Sequence, residues 1–469
     1  MAWHARKSAS GSKTWMKCAG MLPLVERLPA DMRRPTGAAA MTGTCAHGLG
    51  EHCLVNGLRE VPEALMGTII WLDDQEDAHL LQLEEPQIET RAQLAAELGV
   101  DVKFFARVDD KMRDGVQLYL DVVWQAFDEL GETCEMSVET RLSMDWLREG
   151  LGGTSDCTLF QFLGSLKAVD YKNGYVAVDA DDNTQGQIYL LGEAQRAEWM
   201  FEDAEVIIVQ PNSRDGRRVK RFTMTVEELR AFEARLAEAS DRVDEACEAL
   251  ALCEDDADFM EWAGTYLDAG TDDDHDHCTF CDALATCPAA QARAQDVAMA
   301  DFAEDPPELN PLEVHDEATL ERLGRLIKWS KYLDGLVSAA KTLGQRRLEQ
   351  GLEVPGQKLV YGKANRVYVE ADDVVANRVS TELGVPITDC YEEPKPPKVK
   401  SPAQMEKLGA PRSKERKRAK ELVEELAHKP QGKLTMAPLD DPREAVVPQA
   451  GAADDFVDDL PQDWEQGDE

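Results

Sequence analysis

Nowhere does this chain of 469 residues approach the ~18 consecutive apolar residues of a membrane helix, which argues against a membrane-spanning role. It holds no G-x-x-x-x-G-K-[ST] phosphate loop, so an ATP motor of that kind is not expected. Its opening, MAWHARKSASGSKTW, has no apolar h-region and does not read as a secretory signal. A reducing compartment then becomes the expectation, with the 11 cysteines free or metal-bound rather than paired in disulfides. Internal repeats are missing as well. Positive charge is in short supply: 51 Lys and Arg against 90 Asp and Glu leave a net charge of −39. Such a surface repels phosphate and cannot coat nucleic acid wholesale, so any nucleic-acid contact must be local.

What is present is the composition of a folded protein long enough for a large core and more than one domain. A helix is expected from about Thr42, in TGTCAHGLGEHCL, while the acidic stretch 61–100 reads as an exposed insertion. Phe104, Val108, Met112, Val116, Leu120, Val123 and Phe127 recur at helical spacing and predict a helix over 103–130. EMSVETRLS alternates as a strand does, and CTLFQF and LKAVDYK, joined by LGS, predict a hairpin. A helix capped by Asn183 or Thr184 should follow, then a buried strand in AEVIIVQP and a long acidic helix over about 226–252. The organisation expected is an α/β domain over 1–305, a helical and small β accessory domain over 306–390, and a disordered basic arm and acidic tail over 391–469.

The hairpin carries the chemistry. If its turn lies at Leu163–Ser165, Asp156 falls opposite Tyr171 or Lys172. Alternation then puts Asp170 and Lys172 on one face, with Tyr171 turned away. Two carboxylates and an ammonium converge at one strand end. Close carboxylates repel unless a cation joins them, and oxygen ligands suit Mg²⁺ or Mn²⁺. A lysine beside such an ion can stabilise the charge growing on a phosphorane-like transition state. The same residues would equally serve as a turn aspartate and a solubilising strand-end lysine. Nearby in the pattern, Gln185 and Tyr189 lie one turn apart on a helix, as do His47 and Glu51 on another. Glu139 projects from the strand before the hairpin.

In order along the chain, Gly43 to His47, Gly153 to Asp156, Asp170 to Lys172 and Gln185 to Tyr189 resemble the motifs of the RecB-type PD-(D/E)XK nucleases. Those motifs are a G-x-x-x-H helix, a G-x-x-D strand start, a D-x-K strand and a Q-x-x-x-Y helix. The resemblance covers roughly residues 1–290. It implies a restriction-endonuclease-like α/β core, a mixed central sheet flanked by helices, and Mg²⁺- or Mn²⁺-dependent hydrolysis of DNA. On that pattern His47, Asp156 and Asp170 would hold the ion, Lys172 would assist the water, and Gln185 and Tyr189 would complete the site. The opening SASGSKTWMKCAG and the later VPGQKLVYGKANRVYV also resemble phage-encoded RecB-like proteins described as a domain of unknown function. That likeness implies a phage recombination or DNA-processing exonuclease in the bacterial host cytoplasm, working with a single-strand DNA annealing or binding protein. The rival reading is a nuclease fold kept without its chemistry, as a DNA-binding or scaffold protein with a zinc site.

Cys278, Cys281 and Cys287, in HCTFCDALATC, offer three thiols where a soft-metal site wants four ligands. His275 or His277 would complete a Cys₃His zinc site. The resemblance implies another solution. Its iron–sulfur branch, which includes the CRISPR-adaptation nucleases and AddB, has one cysteine near the N-terminus and three after the nuclease core. Here these would be Cys18 with Cys278, Cys281 and Cys287, holding a structural [4Fe–4S] cluster as a clip between the ends of the domain. Cys45, Cys53, Cys134, Cys157, Cys247, Cys253 and Cys390 read as packing residues. For DNA, the hairpin IIVQPNSRDGRRVKRFTM concentrates Arg214, Arg217, Arg218, Lys220 and Arg221. These would either contact phosphates or keep an edge strand soluble.

Overall fold

A mixed sheet of six strands is the frame of the computed structural model. The structure describes residues 5–29, 33, 36–81, 88, 90–270, 276–279, 281–300, 317–360, 372–383, 386–390, 405–406 and 414–426. It divides into two compact units, Met1–Tyr361 and Gly362–Glu469. The first unit opens with β1 (Lys7–Ser8), α1 (Ser12–Trp15), α2 (Met21–Arg27), α3 (Ala38–Val55), β2 (Ile69–Leu72), β3 (Ala78–Leu80), α4 (Arg91–Leu98), β4 (Phe104–Arg107) and α5 (Asp110–Leu130). It continues with β5 (Cys134–Ser143), β6 (Leu151–Gln161), β7 (Ser165–Tyr171), α6 (Thr184–Arg196), β8 (Asp203–Val209), β9 (Val219–Thr225), α7 (Val226–Ala251), α8 (Asp256–Tyr266), α9 (Pro288–Ala300) and α10 (Glu317–Glu349).

Strands β5, β6 and β7 run antiparallel in sequence. The crossover helix α6 brings β8 in parallel to β7, and β9 returns antiparallel beside β8. Strand β1 joins β6 in parallel at Leu151 and Gly152. Helices cover both faces, which is why β8 ends in the continuous apolar run Val206 to Val209. Leu166, Ala168, Val206 and Ile208 pack in one core with α6 and α7. Val169, Tyr171, Ile207 and Val209 pack in the other with α3 and α5. Cys45, Cys53, Cys134 and Cys157 are buried in that second core, as packing thiols. Among the described residues no helix is long and apolar enough to cross a membrane.

Several boundaries differ from expectation for physical reasons. Helix α3 starts at Ala38, because the alanines before Thr42 are strong helix formers and Gly37 supplies the extended N-cap. The predicted helix over 103–130 begins only at Asp110, where Asp109 accepts a 2.7 Å hydrogen bond from Met112 N. Before it, β4 pairs with β2, and β3 completes a small antiparallel sheet. The stretch 61–100 is therefore no loose insertion: Ile70 and Leu72 are fully buried against α3 and α5, and none of its acids among the described residues is buried. The hairpin turn centres on Leu163, in the left-handed region at φ 55°, and the pairs run Cys157 with Val169 to Phe160 with Leu166. Carrying that register on by one residue sets Asp156 opposite Asp170, not Tyr171 or Lys172.

Helix α10 packs Leu333, Leu336 and Ala339 against the cysteine region and lies within the first compact unit, Met1–Tyr361. Of the expected β-like piece over 354–369, residues 354–360 form a turn and irregular backbone, and the rest lies outside the described residues. In the second unit the described residues form α11 (Asp372–Leu383), a 3₁₀ turn (Ile387–Cys390) and α12 (Lys414–Leu426). Helix α12 falls within the stretch expected to be a disordered arm; the acidic tail beyond it lies outside the described residues.

The crossover is tight. A Cβ at Gly186, in the first turn of α6, would come within 2.5 Å of Val206 on β8, whereas a Cβ at Gly264, on the exposed side of α8, would meet nothing within 4 Å. Gly186→Ala is expected to lower the thermal midpoint by several degrees, an overpacking cost of about 1–3 kcal/mol. Gly264→Ala should raise it slightly, by the helix preference of alanine. Differential scanning calorimetry of both variants checks this, and a neutral Gly186→Ala would contradict the packing.

Candidate active site

The register that pairs Asp156 with Asp170 also determines what surrounds them. Gly153 leads the G-x-x-D segment because a Cβ there would sit 2.8 Å from Ala9 Cβ and 3.1 Å from the Tyr189 ring. The strand can thus lie close under both β1 and α6. Asp156, buried, accepts a 2.7 Å hydrogen bond from Tyr171 N and stands 3.4 Å from His47 Nδ1 through the same Oδ2. His47 is held edge-on to the Tyr171 ring, with centroids 5.3 Å apart. Asp170 is 1% exposed. Its Oδ1 accepts a 3.1 Å hydrogen bond from Lys172 Nζ, while Oδ2, 2.9 Å from that same ammonium, is met at too poor an angle and has no hydrogen-bond donor. Lys172 Nζ also donates to Gln185 Oε1 at 2.9 Å, and Gln185 Nε2 donates to Tyr189 OH at 2.8 Å. The four motif segments thus form one connected set of polar contacts at the end of β7.

A residue outside the expected ligand set completes it. Ligand atoms of His47, Glu139 and Asp156 all lie within 4.8 Å of one another. Glu139 reaches them from β5, across β6 at Asp156, with its own backbone at φ 44°. A bulky residue held in the left-handed region inside a strand is strained, and such strain collects at functional sites. Asp170 is outside this triple, tied to Lys172. Glu51, one turn past His47, is exposed and faces Asp77 instead.

Charge at the site follows from burial and neighbours. Burial pushes Glu139 up to about 8, and the Asp156 charge pushes in the same direction. Burial also raises Asp170, against the pull of Lys172. For Asp156 burial is outweighed by His47, Lys172 and the Tyr171 N–H, and its pKa falls below the usual carboxylate range. Burial would lower His47 and Lys172, yet Asp156 lifts His47 to about 9 and Asp170 raises Lys172. An imidazole and clustered carboxylates, one holding a buried oxygen without a donor, suit Mg²⁺ or Mn²⁺.

The cysteines converge at a second place. Cys18, Cys278, Cys281 and Cys287 line one small cavity with Met21, Leu24 and Leu284. Asp268 N donates to Cys18 Sγ at 3.4 Å. Burial pushes Cys18 up to about 11 and Cys278 and Cys281 to about 12, so these thiols are protonated until a metal displaces the protons. His277 lines the same cavity: its Nε2 lies 2.9 Å from Asp268 O, and its buried Nδ1 has no hydrogen-bond partner. His275 lies outside the described residues. In the basic hairpin, Lys220 is buried and pairs with Asp215 at 2.9 Å. Arg217 pairs with Asp179 and Asp215, and Arg221 with Glu205. Arg214 and Arg218 are exposed and, among the described residues, have no carboxylate partner.

The site's protons set a pH dependence. Glu139 ionises near 4.5 when exposed, so its raised value costs the metal-free protein stability that grows from about pH 4.5 to 8. His47 contributes stability that is full below its ordinary 6.5 and is lost as pH rises through about 9. Both act in one direction. Metal-free protein should melt at a lower temperature at pH 9 than at pH 6, and Mn²⁺ should raise the melting temperature more at pH 9. Thermal melts that rise with pH over this range would contradict the charge assignment.

A family model described as "Protein of unknown function (DUF2800)" matches residues 4–444. That match takes in the six-stranded sheet, the polar set at its end and the cysteine cavity, and the chain belongs to this family.

Proposed function

We propose that the chain is a metal-dependent deoxyribonuclease of the RecB type, an exonuclease of phage recombination or DNA processing, with a structural [4Fe–4S] cluster. One observation carries the reading: His47, Glu139, Asp156, Asp170, Lys172, Gln185 and Tyr189 meet at one strand end although they come from five separate elements. A buried group of carboxylates with a cationic lysine beside it has no purpose in packing, because an apolar strand end would be more stable. When bound, Mg²⁺ or Mn²⁺ would polarise the scissile phosphate and acidify a water. His47, Glu139, Asp156 and Asp170 Oδ2, now ion-paired to Lys172, are the groups that would hold it. Lys172, kept cationic by Asp170 and aimed by Gln185, supplies positive charge where negative charge grows on the phosphate. Tyr189 orients Gln185, and His47, with Lys172 and the Tyr171 N–H, keeps Asp156 ionised. The partners on this reading are DNA and a single-strand annealing or binding protein, in the cytoplasm of a bacterial host.

For the thiols, Cys18, Cys278, Cys281 and Cys287 line one cavity, and four thiolates from the two ends of the domain are the ligand set of an iron–sulfur cluster. One observation favours zinc instead: His277 presents a free Nδ1 while its Nε2 faces a carbonyl, the arrangement of a metal-bound histidine. The rival of a silent nuclease fold has less in its favour, since the lysine and carboxylates of the D-x-K pair are both in place.

Cleavage of end-labelled DNA with Mg²⁺ or Mn²⁺ is expected to disappear in Asp170→Ala and in Lys172→Ala, and His47→Ala should lose Mg²⁺ activity with partial rescue by Mn²⁺. Either of the first two variants cutting at the wild-type rate would sink the assignment. Protein purified without oxygen should be brown, with about four irons per chain, and Cys18→Ser should lose colour as fully as Cys281→Ser. A colourless protein with one zinc that needs His277 and ignores Cys18 would replace the cluster by a Cys₃His site and leave the nuclease reading untouched.

A further inference from the structure

The chain leaves the sheet just after the catalytic lysine in a loop, Asn173–Val176, that no part of the site accounts for. The loop is firmly held. Buried Gln210 donates through Nε2 to Gly174 O at 2.9 Å and to Val176 O at 2.7 Å, while its Oε1 accepts from Val178 N at 3.0 Å. Asn212 Nδ2 donates to Asn173 O at 3.0 Å, and Arg214 N donates to Tyr175 O at 3.1 Å. A loop fastened by this many backbone-directed bonds nonetheless shows Tyr175 48% exposed and Val176 59% exposed. Lys111, in the first turn of α5, lies 4.8 Å from the centre of the Tyr175 ring and donates to its hydroxyl.

The position is next to the candidate active site. Gly43, one turn before His47 on α3, would place a Cβ 3.6 Å from Asn173. Gly115, one turn after Lys111 on α5, would place one 2.9 Å from Tyr171 OH and 3.4 Å from Pro211. Both helices and the loops 173–176 and 211–218 therefore meet at the strand end that carries Asp170 and Lys172. Two exposed cations meet the loop, Lys111 at the Tyr175 ring and Arg214 through its backbone bond to Tyr175 O, and among the described residues neither has a carboxylate partner, in a chain of net charge −39.

We propose that Tyr175, flanked by Lys111 and Arg214, is a stacking platform for an unpaired base, and that the strand led into the site is single-stranded DNA. A pre-set aromatic ring can stack on any base whose face is open, which a duplex offers only at its end. Lys111 and Arg214 serve one phosphate backbone, while a second strand would have to approach a chain of net charge −39 without cations of its own. The inference rests on the nuclease reading for the fate of the strand and is independent of it for binding.

The test is fluorescence anisotropy of a labelled oligothymidylate with the full chain in EDTA, where cleavage cannot interfere. Tyr175→Ala should weaken binding by roughly tenfold or more. Tyr175→Phe and Tyr175→Trp should stay within about twofold, because stacking needs the ring and not the hydroxyl, and a blunt duplex should bind more weakly than the single strand. Wild-type affinity in Tyr175→Ala would overturn the platform. So would an equal loss in Tyr175→Phe, which would reduce the residue to an anchor for Lys111, or a preference for the duplex. If the binding pattern holds and no variant or wild type ever cuts DNA with Mn²⁺, the platform stands and the nuclease reading falls.

Discussion

Two carboxylates, Asp156 and Asp170, stand across from each other on paired strands, and both are buried. Like charges in that position cannot both ionise without compensation, and much of the surrounding architecture supplies it. Helix α3 brings His47 to Asp156, the end of β7 brings Lys172 to Asp170, and the Tyr171 N–H is spent on Asp156 rather than on a strand neighbour. Helix α6 then has to lie close enough for Gln185 to reach Lys172, which is why Gly186 is pressed onto Val206. Glu139 adds a third carboxylate to the same corner from a strained backbone. His47 and Lys172 offset part of this negative charge; a divalent cation is the economical way to offset the rest.

The cysteine cavity solves a different problem. Residues before α3 are fastened to the end of α8 and the segment after it by Gly20 N to Tyr266 O at 2.8 Å, Thr14 Oγ1 to His277 O at 3.1 Å and Asp268 N to Cys18 Sγ. Leu24 and Trp262 bury together in a small satellite core beside them. A metal group held by thiols from both segments would close a loop of more than half the chain and restrict the unfolded state accordingly. The segment it would secure includes Ala9, which lies against Gly153 near the start of β6. Such a clip would steady the strand that carries Asp156.

Much of this was readable from residue order because period-2 and period-3.6 patterns decide faces. Asp170 and Lys172 share a face with Tyr171 turned into the opposite core, as alternation requires, and Asn183 caps α6 where it was expected. The exact register was not readable, since a leucine rather than a glycine takes the left-handed turn position at Leu163. Strand β4 was hidden because Phe104 and Val108 fall in phase with the helix that follows. Glu139 sits in an ordinary alternating strand, and only the pairing of β5 with β6 brings it to Asp156. The basic run looked uniform, but Lys220, Arg217 and Arg221 are absorbed by Asp215, Asp179 and Glu205 through contacts that no local pattern signals.

The central claim is that a single divalent-cation site lies among these carboxylates. Diffraction at the manganese edge from crystals soaked in Mn²⁺ tests it directly. The account predicts an anomalous peak between His47, Glu139 and Asp156, within bonding distance of Asp170 Oδ2 or bridged to it by water. An empty site with Mn²⁺ bound elsewhere, or a strand end unchanged at saturating Mn²⁺, would contradict it.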